Sequence, residues 1–493
     1  MFPRLCSLRG VVRALASAAV LLAVVACGSR HSVERPAGSA VLGGVAEVAG
    51  LGTGEVADLR RAGVREVFLA AGEVVFEGTE PAIAVAVRGG PAAGLRLPAV
   101  VSIGGRWEGV RGDPAEVGTR LAERLRELVR RTTGRGLTVV GVHLDLAVPP
   151  DAAAVEAYAE AVEAVREELP EDLYLAVSLD RVALRAPEAE SVAAAADVLV
   201  PFLFGPRAAG RPGPRGPEAW SLEGIEEDLA RLAALGRPYL VGVGTVGGVA
   251  RMDGTDGGGE LFTGTRLGAL LAEPGLEARP APLFAAADAQ VYPFVVRRAL
   301  RLGDWSLAAG DEVEVRRLAP HHLRALVERL AAAGSPLHLG QLYDRLPGSD
   351  EGLALSPAEL AAAGDPAAAA PRLDLVAEPA GRGVLRVRLA HRGGAATEIA
   401  AFENNFVAVR LAGGSFGTVD PGGFARYELL AGGRRAADQA TLRRADTLRL
   451  YTPFLEAGDE VTSGPIRHGG TATAVARFLM PDGAVVEVAG EGP

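Results

Sequence analysis

Val139-Val140-Gly141-Val142-His143-Leu144-Asp145-Leu146 carries two patterns at once. Side chains of a strand alternate between its faces. Val140, Val142, Leu144 and Leu146 share one face, while Val139, Gly141, His143 and Asp145 share the other. The aliphatic face suits packing beneath helices, and the other carries a histidine and an aspartate toward the strand's end. The stretch Leu173 to Asp180 repeats the arrangement. Leu173, Leu175, Val177 and Leu179 face one way; Tyr174, Ala176, Ser178 and Asp180 face the other.

A helix is predicted between these two strands, because Val155, Tyr158, Val162, Val165 and Leu169 recur at helical spacing. Upstream, strands are expected at Val41–Val48, Glu66–Ala71 and Pro98–Ile103, with an extra one at Ala82–Val87 and a short helix at Gly54–Ala62. Asp113-Pro114-Ala115-Glu116 opens a helix with an acidic N-cap and proline in the first turn. Downstream follow a helix at Pro187–Ala196, strands at Val198–Phe204 and Tyr239–Val246, an irregular insertion near 247–290, a helix at Pro320–Ala332 and a last strand at Leu337–Leu342. Alternating strands and helices imply βαβ units and a parallel sheet. About eight such units over 40–368 predict a (β/α)8 TIM-like barrel. A doubly wound open sheet is the competitor, but no G-x-G-x-x-G follows the first strand.

The character changes near Pro371. Short alternating segments separated by Gly-Gly, Pro-Gly and Asp-Gly turns predict a small all-β, immunoglobulin-like sandwich over 371–493. At the other end, Arg4, Arg9 and Arg13 precede a run from Ala14 to Val25 that is apolar apart from Ser17 and too short for a span of roughly 20 residues. With Val24-Val25-Ala26-Cys27 it resembles a bacterial lipobox, so 1–26 is expected to be a signal peptide and Cys27 the site of lipid attachment. Residues 27–39 then form a tether, and the protein is placed in the cell envelope, on the outer membrane if the cell has one.

Removal of that signal takes Cys6 with it and leaves one cysteine, which excludes an intrachain disulfide and a cysteine-built zinc site. A net charge of −10 argues against a nucleic-acid partner. Lysine is absent, so arginine runs such as Arg443-Arg444 are read as solvated faces. His321-His322 are read as surface residues, and neither a metal nor a cofactor is expected.

A barrel of this class carries its site at the C-terminal ends of the strands. The inward candidates are Asp145, with His143 beside it, and Asp180; Glu73 stands at another strand end. Trp107 and Glu108, in the Arg106-Trp107-Glu108 segment, and Tyr343 and Asp344, before Arg345, are candidates for contacts to a substrate. Trp107 either stacks on a sugar or covers the rim, and a strand-end aspartate either acts in chemistry or caps the next helix.

Val140-Gly141-Val142-His143-Leu144-Asp145-Leu146-Ala147 resembles the fourth strand of chitinase-type glycosidases, whose pattern is D-G-x-D-x-D-x-E. Gly141 and Asp145 match; Val140, His143 and Ala147 do not, and Ala147 stands where that family has its catalytic acid. The chain is also similar over about 40–360 to a bacterial exported family known only as domain of unknown function 3142. That likeness rests on His143-Leu144-Asp145, the helix with Tyr158, Leu169-Pro170, the strand to Asp180, and Val200-Pro201-Phe202. It implies a glycosidase-like barrel without naming an activity. Two expectations follow. The first is a non-catalytic lipoprotein whose barrel binds an envelope polysaccharide or protein. The second is a glycoside hydrolase with Asp145 as a catalytic carboxylate, Asp180 or Glu73 as its partner and His143 tuning the pair.

Overall fold

The computed structural model describes residues 37–77, 80–85, 97–149, 151–205, 220–252, 265–279, 290–303, 305–347, 352–365, 372–393, 396–399, 404–480 and 483–490. The expected signal peptide, Cys27 and most of the tether lie outside them, as does much of the expected insertion near 247–290.

The first unit comprises β1 (Ser39–Gly44), α1 (Val45–Gly50), α2 (Thr53–Arg61), β2 (Val64–Glu77), β3 (Glu80–Val85), β4 (Ala99–Arg106), α3 (Pro114–Thr133), β5 (Val139–Ala147), α4 (Ala152–Glu168), β6 (Tyr174–Asp180), α5 (Arg181–Arg185), α6 (Ala189–Ala195), β7 (Val198–Phe204), α7 (Ile225–Ala234) and β8 (Tyr239–Gly244). An insertion follows: β9 (Gly248–Arg251), α8 (Leu267–Ala272), β10 (Leu276–Ala278), β11 (Gln290–Val296), β12 (Leu300–Leu302), β13 (Trp305–Leu307) and β14 (Glu312–Arg317). Then α9 (Pro320–Ala332), β15 (His338–Asp344) and α10 (Pro357–Gly364) complete the unit.

The parallel strands run in the order β1-β15-β8-β7-β6-β5-β4-β2, and β1 pairs with β2. Eight strands so closed make a (β/α)8 barrel, which excludes the open sheet. β3 adds an antiparallel hairpin to the overlong β2.

Strand parity sorts the core as the sequence indicates. Val142, Leu144, Leu146, Leu175, Val177 and Leu179 pack outward in the large cluster shared with the helices. Tyr174 and Ala176 turn into the barrel with Leu42, Phe68, Phe202 and Leu342. Val140 departs from the pattern: the ladder skips it between Ala99 and Val100, and it packs on the interior cluster. Two glycines make room for this packing. A Cβ on Gly141 would lie 2.9 Å from the Tyr174 ring, and one on Gly118 of α3 would lie 2.3 Å from the Ala161 carbonyl of α4.

The helices start where their caps place them. Asp113 accepts the Ala115 N–H at 3.0 Å before α3, and Asp151 accepts the Ala154 N–H at 2.9 Å before α4. Ser356 and Glu359 form a reciprocal capping box on α10.

The insertion, expected to be irregular, contains an antiparallel sheet in the order β10-β11-β14-β9. The sandwich comprises β16 (Leu373–Gly381), β17 (Val384–His391), β18 (Phe406–Ala412), β19 (Phe416–Val419), β20 (Arg426–Ala431), β21 (Arg434–Arg435), α11 (Gln439–Leu442), β22 (Thr447–Tyr451), β23 (Glu460–Thr462), β24 (Ile466–His468), β25 (Thr471–Leu479) and β26 (Val485–Ala489). Its sheets run β16-β17-β24-β19, with β23 on β17, and β21-β20-β22-β18-β25-β26. Val387, Leu389, Val407, Val409, Leu450 and Ala476 lie in the core between them.

Charged side chains join the three units. Arg317 of β14 donates to Glu359 of α10, whose carboxylate also accepts the Ala396 N–H at 3.4 Å. Gln290 of β11 donates to Glu398 at 2.7 Å, and Arg266 Nε donates to Glu456 at 2.7 Å. Arg317, Glu359, Glu398 and Gln290 are all buried. Burial pushes the Glu398 carboxyl above its ordinary range, against hydrogen bonds that favour its charge, and pushes the Tyr292 phenol well up.

Candidate functional site at the barrel mouth

Inside the barrel, His143 is clamped from both sides. Its Nδ1 lies 2.9 Å from Ser102 Oγ on β4 and its Nε2 lies 2.9 Å from Ser178 Oγ on β6. The Phe68 ring meets it edge-on, with centroids 5.0 Å apart. Both ring nitrogens are committed, so His143 holds neighbouring strands together. Below it, Tyr174 donates to the buried carboxylate of Glu66.

Above this layer, Asp145 follows on the same face of β5, only 2 % exposed, and Asp344 follows Leu342 at the end of β15, fully buried. β5 and β15 are four strands apart in both directions, hence diametrically opposed. Their heights follow from register. Asp344 pairs with Leu42, Leu42 with Phe68, Phe68 with Val100, and Val100 with Gly141. The other way round, Asp344 pairs with Gly244, Val243 with Phe204 and Phe202 with Asp180, a path that leaves β5 beyond its last residue. A barrel of this type staggers by about eight residues per circuit. The residue level with Asp344 therefore lies about four past Gly141, which is Asp145. Both carboxylates thus occupy inward positions of opposite strands at about the same height.

The remaining sequence candidates are dispersed. Asp180 accepts the Ala183 N–H at 2.7 Å and caps α5. Glu73 is exposed; it pairs with Gly104, which pairs with Asp145, so it stands two strands and about 10 Å of backbone away. Glu108 is exposed beside Arg106, 3.6 Å away. Trp107 is buried between Phe76 and Tyr158, at ring distances of 5.0 and 5.4 Å, and covers the rim. Tyr343 packs in the outer layer under the helices, where burial pushes its phenol up to about 12. Neither ring faces the mouth. Burial, with the Asp145 charge, also raises the Tyr158 phenol.

Ser102, Glu66 and Trp220 were not singled out from the sequence. The alternation Glu66, Phe68, Ala70 signals an inward Glu66. Trp220 gives no such signal: its indole N–H reaches the Gly244 carbonyl, at 2.8 Å, from across a loop. His321 and His322, read as surface residues, are half-buried with their rings 4.0 Å apart. Among the described residues, no group of three or more histidine, cysteine, aspartate or glutamate side chains is placed to hold a metal ion, and no helix is long and apolar enough to cross a membrane.

No protein-family model and no curated protein matches the chain. Among solved structures, it is similar to a glycoside hydrolase family 18 N-acetylglucosaminidase from Paenibacillus barengoltzii, at 14% identity and TM-score 0.44, over 66% of this chain and 99% of that one. It is similar to a chitinase from Chromobacterium violaceum at 16% identity and TM-score 0.41, over 66% and 97%. The spore cortex-lytic enzyme of Bacillus megaterium aligns at 13% identity and TM-score 0.40, over 66% and 73%.

Proposed function

We propose that this protein is a lipid-anchored component of the bacterial cell envelope whose barrel mouth binds a saccharide without cleaving it. The observation that carries the reading is the end of β5. Ala147 presents a methyl group where the D-G-x-D-x-D-x-E pattern has its proton donor, and Asp145 beneath is sealed from solvent. Glycoside hydrolysis needs a carboxylic acid within reach of the leaving oxygen. A methyl group cannot protonate it.

The anchor at Cys27 joins the barrel at its N-terminal end. Residues 28–38 connect it to the N-terminal end of β1, a reach of about 40 Å at most. The mouth lies at the opposite end of the barrel from this attachment, so the tether leaves it open to polymers of the envelope or beyond. Labelled fatty acid incorporated by the full-length chain, and lost in Cys27→Ser, tests the anchor. A glycan array read alongside a reducing-end assay tests the mouth. Binding with no product supports the reading, and turnover that vanishes in Asp145→Asn overturns it.

One observation favours hydrolysis instead. Asp145 and Asp344 occupy inward positions on opposite strands, and glycosidases work with two carboxyls flanking the scissile bond. On that reading Asp145→Asn and Asp344→Asn each abolish product release, with the fold intact.

A further inference from the structure

A single attachment at Gly38 does not decide which side of the barrel's base would meet a membrane; the charges around that base do. Strands begin and helices end there, and three of the connections differ sharply in charge. Residues 58–65, from α2 into β2, carry Arg60, Arg61 and Arg65 against Asp58. Residues 127–136, from α3 into β5, carry Arg130, Arg131 and Arg135 against Glu127. Residues 167–172, from α4 into β6, carry Glu167, Glu168, Glu171 and Asp172 and no arginine. In strand order only β4 separates β2 from β5, about 10 Å of wall, and β6 follows β5. A chain of net charge −10 thus places two connections of +2, each three arginines less one acid, beside one of −4.

Two of these arginines are free. Among the described residues Arg65 and Arg130 have no hydrogen bond or ion pair, and both are exposed. The β1–β2 ladder passes from Ser39–Val64 to Ala40–Glu66, so Arg65 is left out of it at a bulge. Its stem packs on the end of the tether, since a Cβ on Gly38 would lie 2.3 Å from Arg65 Cγ. Arg130 stands in the last turn of α3. Arg61 and Arg131 beside them pair with Asp58 and Glu127 of their own helices, in exposed pairs that water and salt weaken. Arg60 and Arg135 are engaged with other partners and do not count toward the free charge. On the acidic connection Glu168 pairs with Arg126 of α3, while Glu171 and Asp172 are exposed.

We infer that the barrel rests on its membrane by the β2–β5 side of this base, with Arg65 and Arg130 against anionic phospholipid headgroups and the 167–172 connection turned to solvent. The inference rests on the lipid-anchor reading and adds to it the side that faces the bilayer. An anionic bilayer attracts basic side chains within a Debye length of its surface and repels acidic ones. Two positive connections next to the attachment, with a negative one beyond them, therefore tilt the base toward the first two. The barrel mouth, at the other end, plays no part in the contact.

The test uses the mature chain, its Cys27 thiol coupled to a maleimide lipid in vesicles of phosphatidylcholine alone or mixed with phosphatidylglycerol. Coupling makes the result independent of acylation in the cell. The phenylglyoxal reactivity of each arginine is read by mass spectrometry. Arg65 and Arg130 should react at least about threefold more slowly on the anionic vesicles at low salt, and lose that protection as salt rises. Arg443 and Arg444 of the sandwich should react alike on both vesicles, as should Glu171 and Asp172 with a carbodiimide. Arg65→Gln/Arg130→Gln removes two exposed side chains without partners, so the fold should stand while Arg61 and Arg131 lose their protection on the anionic vesicles. Equal reactivity of Arg65 and Arg130 on the two vesicles, protection that survives high salt, or equal protection of Glu171 and Asp172 overturns the inference. Failure of the anchor reading shows separately, as absence of fatty-acid label at Cys27.

Discussion

His143 sits inside the barrel between hydroxyls from the two strands beside its own, whereas Arg317 sits at the domain junction between carboxylates that arrive from separate units. Both sets are buried and polar, but their chemistry differs. The serine–histidine–serine chain is made by neighbours in one sheet, and apolar groups of similar shape could replace all three members together. The junction is ionic, and removal of one member leaves an opposite charge stranded in a desolvated place. The barrel thus uses polarity to fix a local arrangement, and the junction uses it to hold three units in one relation.

The largest effect that would break this comparison is at Arg317. Arg317→Leu leaves Glu359 without its buried cation and should cost on the order of 3–5 kcal/mol in denaturant unfolding. The insertion and sandwich should also become separable by limited proteolysis. A cost below about 1 kcal/mol would place this pair with ordinary surface pairs. Inside the barrel, His143→Leu strands two buried hydroxyls and should cost about 2–3 kcal/mol. Adding Ser102→Ala and Ser178→Ala should recover most of it, and failure to recover would mean that the serine–histidine–serine chain does not account for the cost.

Stability against pH sharpens the contrast, because the signs oppose. Burial, with His321 nearby, pushes His322 of α9 down to about 4. Its folded pKa is depressed, so its contribution is present above about 6.5 and is lost as pH falls toward 4, about 2 kcal/mol after allowance for partial exposure. Glu398 at the junction is shifted upward by burial. Its contribution is complete below the ordinary carboxyl range and declines as pH rises through the raised value. Unfolding free energies from pH 4 to 8 should lose their acid-side slope in His322→Gln and their opposite slope in Glu398→Gln. Unchanged slopes would refute the two assignments separately.

The same difference explains what could be read from the sequence. Period-two alternation on β5 and β6 exposes parity directly, so the inward face of His143, Asp145 and Ser178 is legible in the sequence. The opposition of Asp145 and Asp344 is invisible there, since it arises from the stagger of eight strands around a closed circuit. Gln290–Glu398 and Arg266–Glu456 join residues 108 and 190 positions apart, with no local pattern to announce them. The insertion sheet is hidden by its own chemistry: Pro293 stands in the middle of β11, and proline argues against a strand unless its missing donor is tolerated. Trp107 depended on neighbours from other elements, Phe76 and Tyr158, and sequence adjacency to Glu108 could not show that they cover it.

Asp180 offers the smallest but most discriminating effect, because it is both a strand-end carboxylate and a helix cap. Its oxygen satisfies the Ala183 N–H, one of the donors a helix start leaves free. Asparagine offers the same acceptor without the charge, and alanine offers none. Asp180→Ala should therefore cost about 1 kcal/mol, while Asp180→Asn stays within a few tenths of wild type. Saccharide binding should follow stability in both variants if the side chain only begins α5. If Asp180→Asn keeps full stability but loses binding or turnover, the charge itself acts at the mouth. Asp180 then joins Asp145 and Asp344 as a third carboxylate of the site.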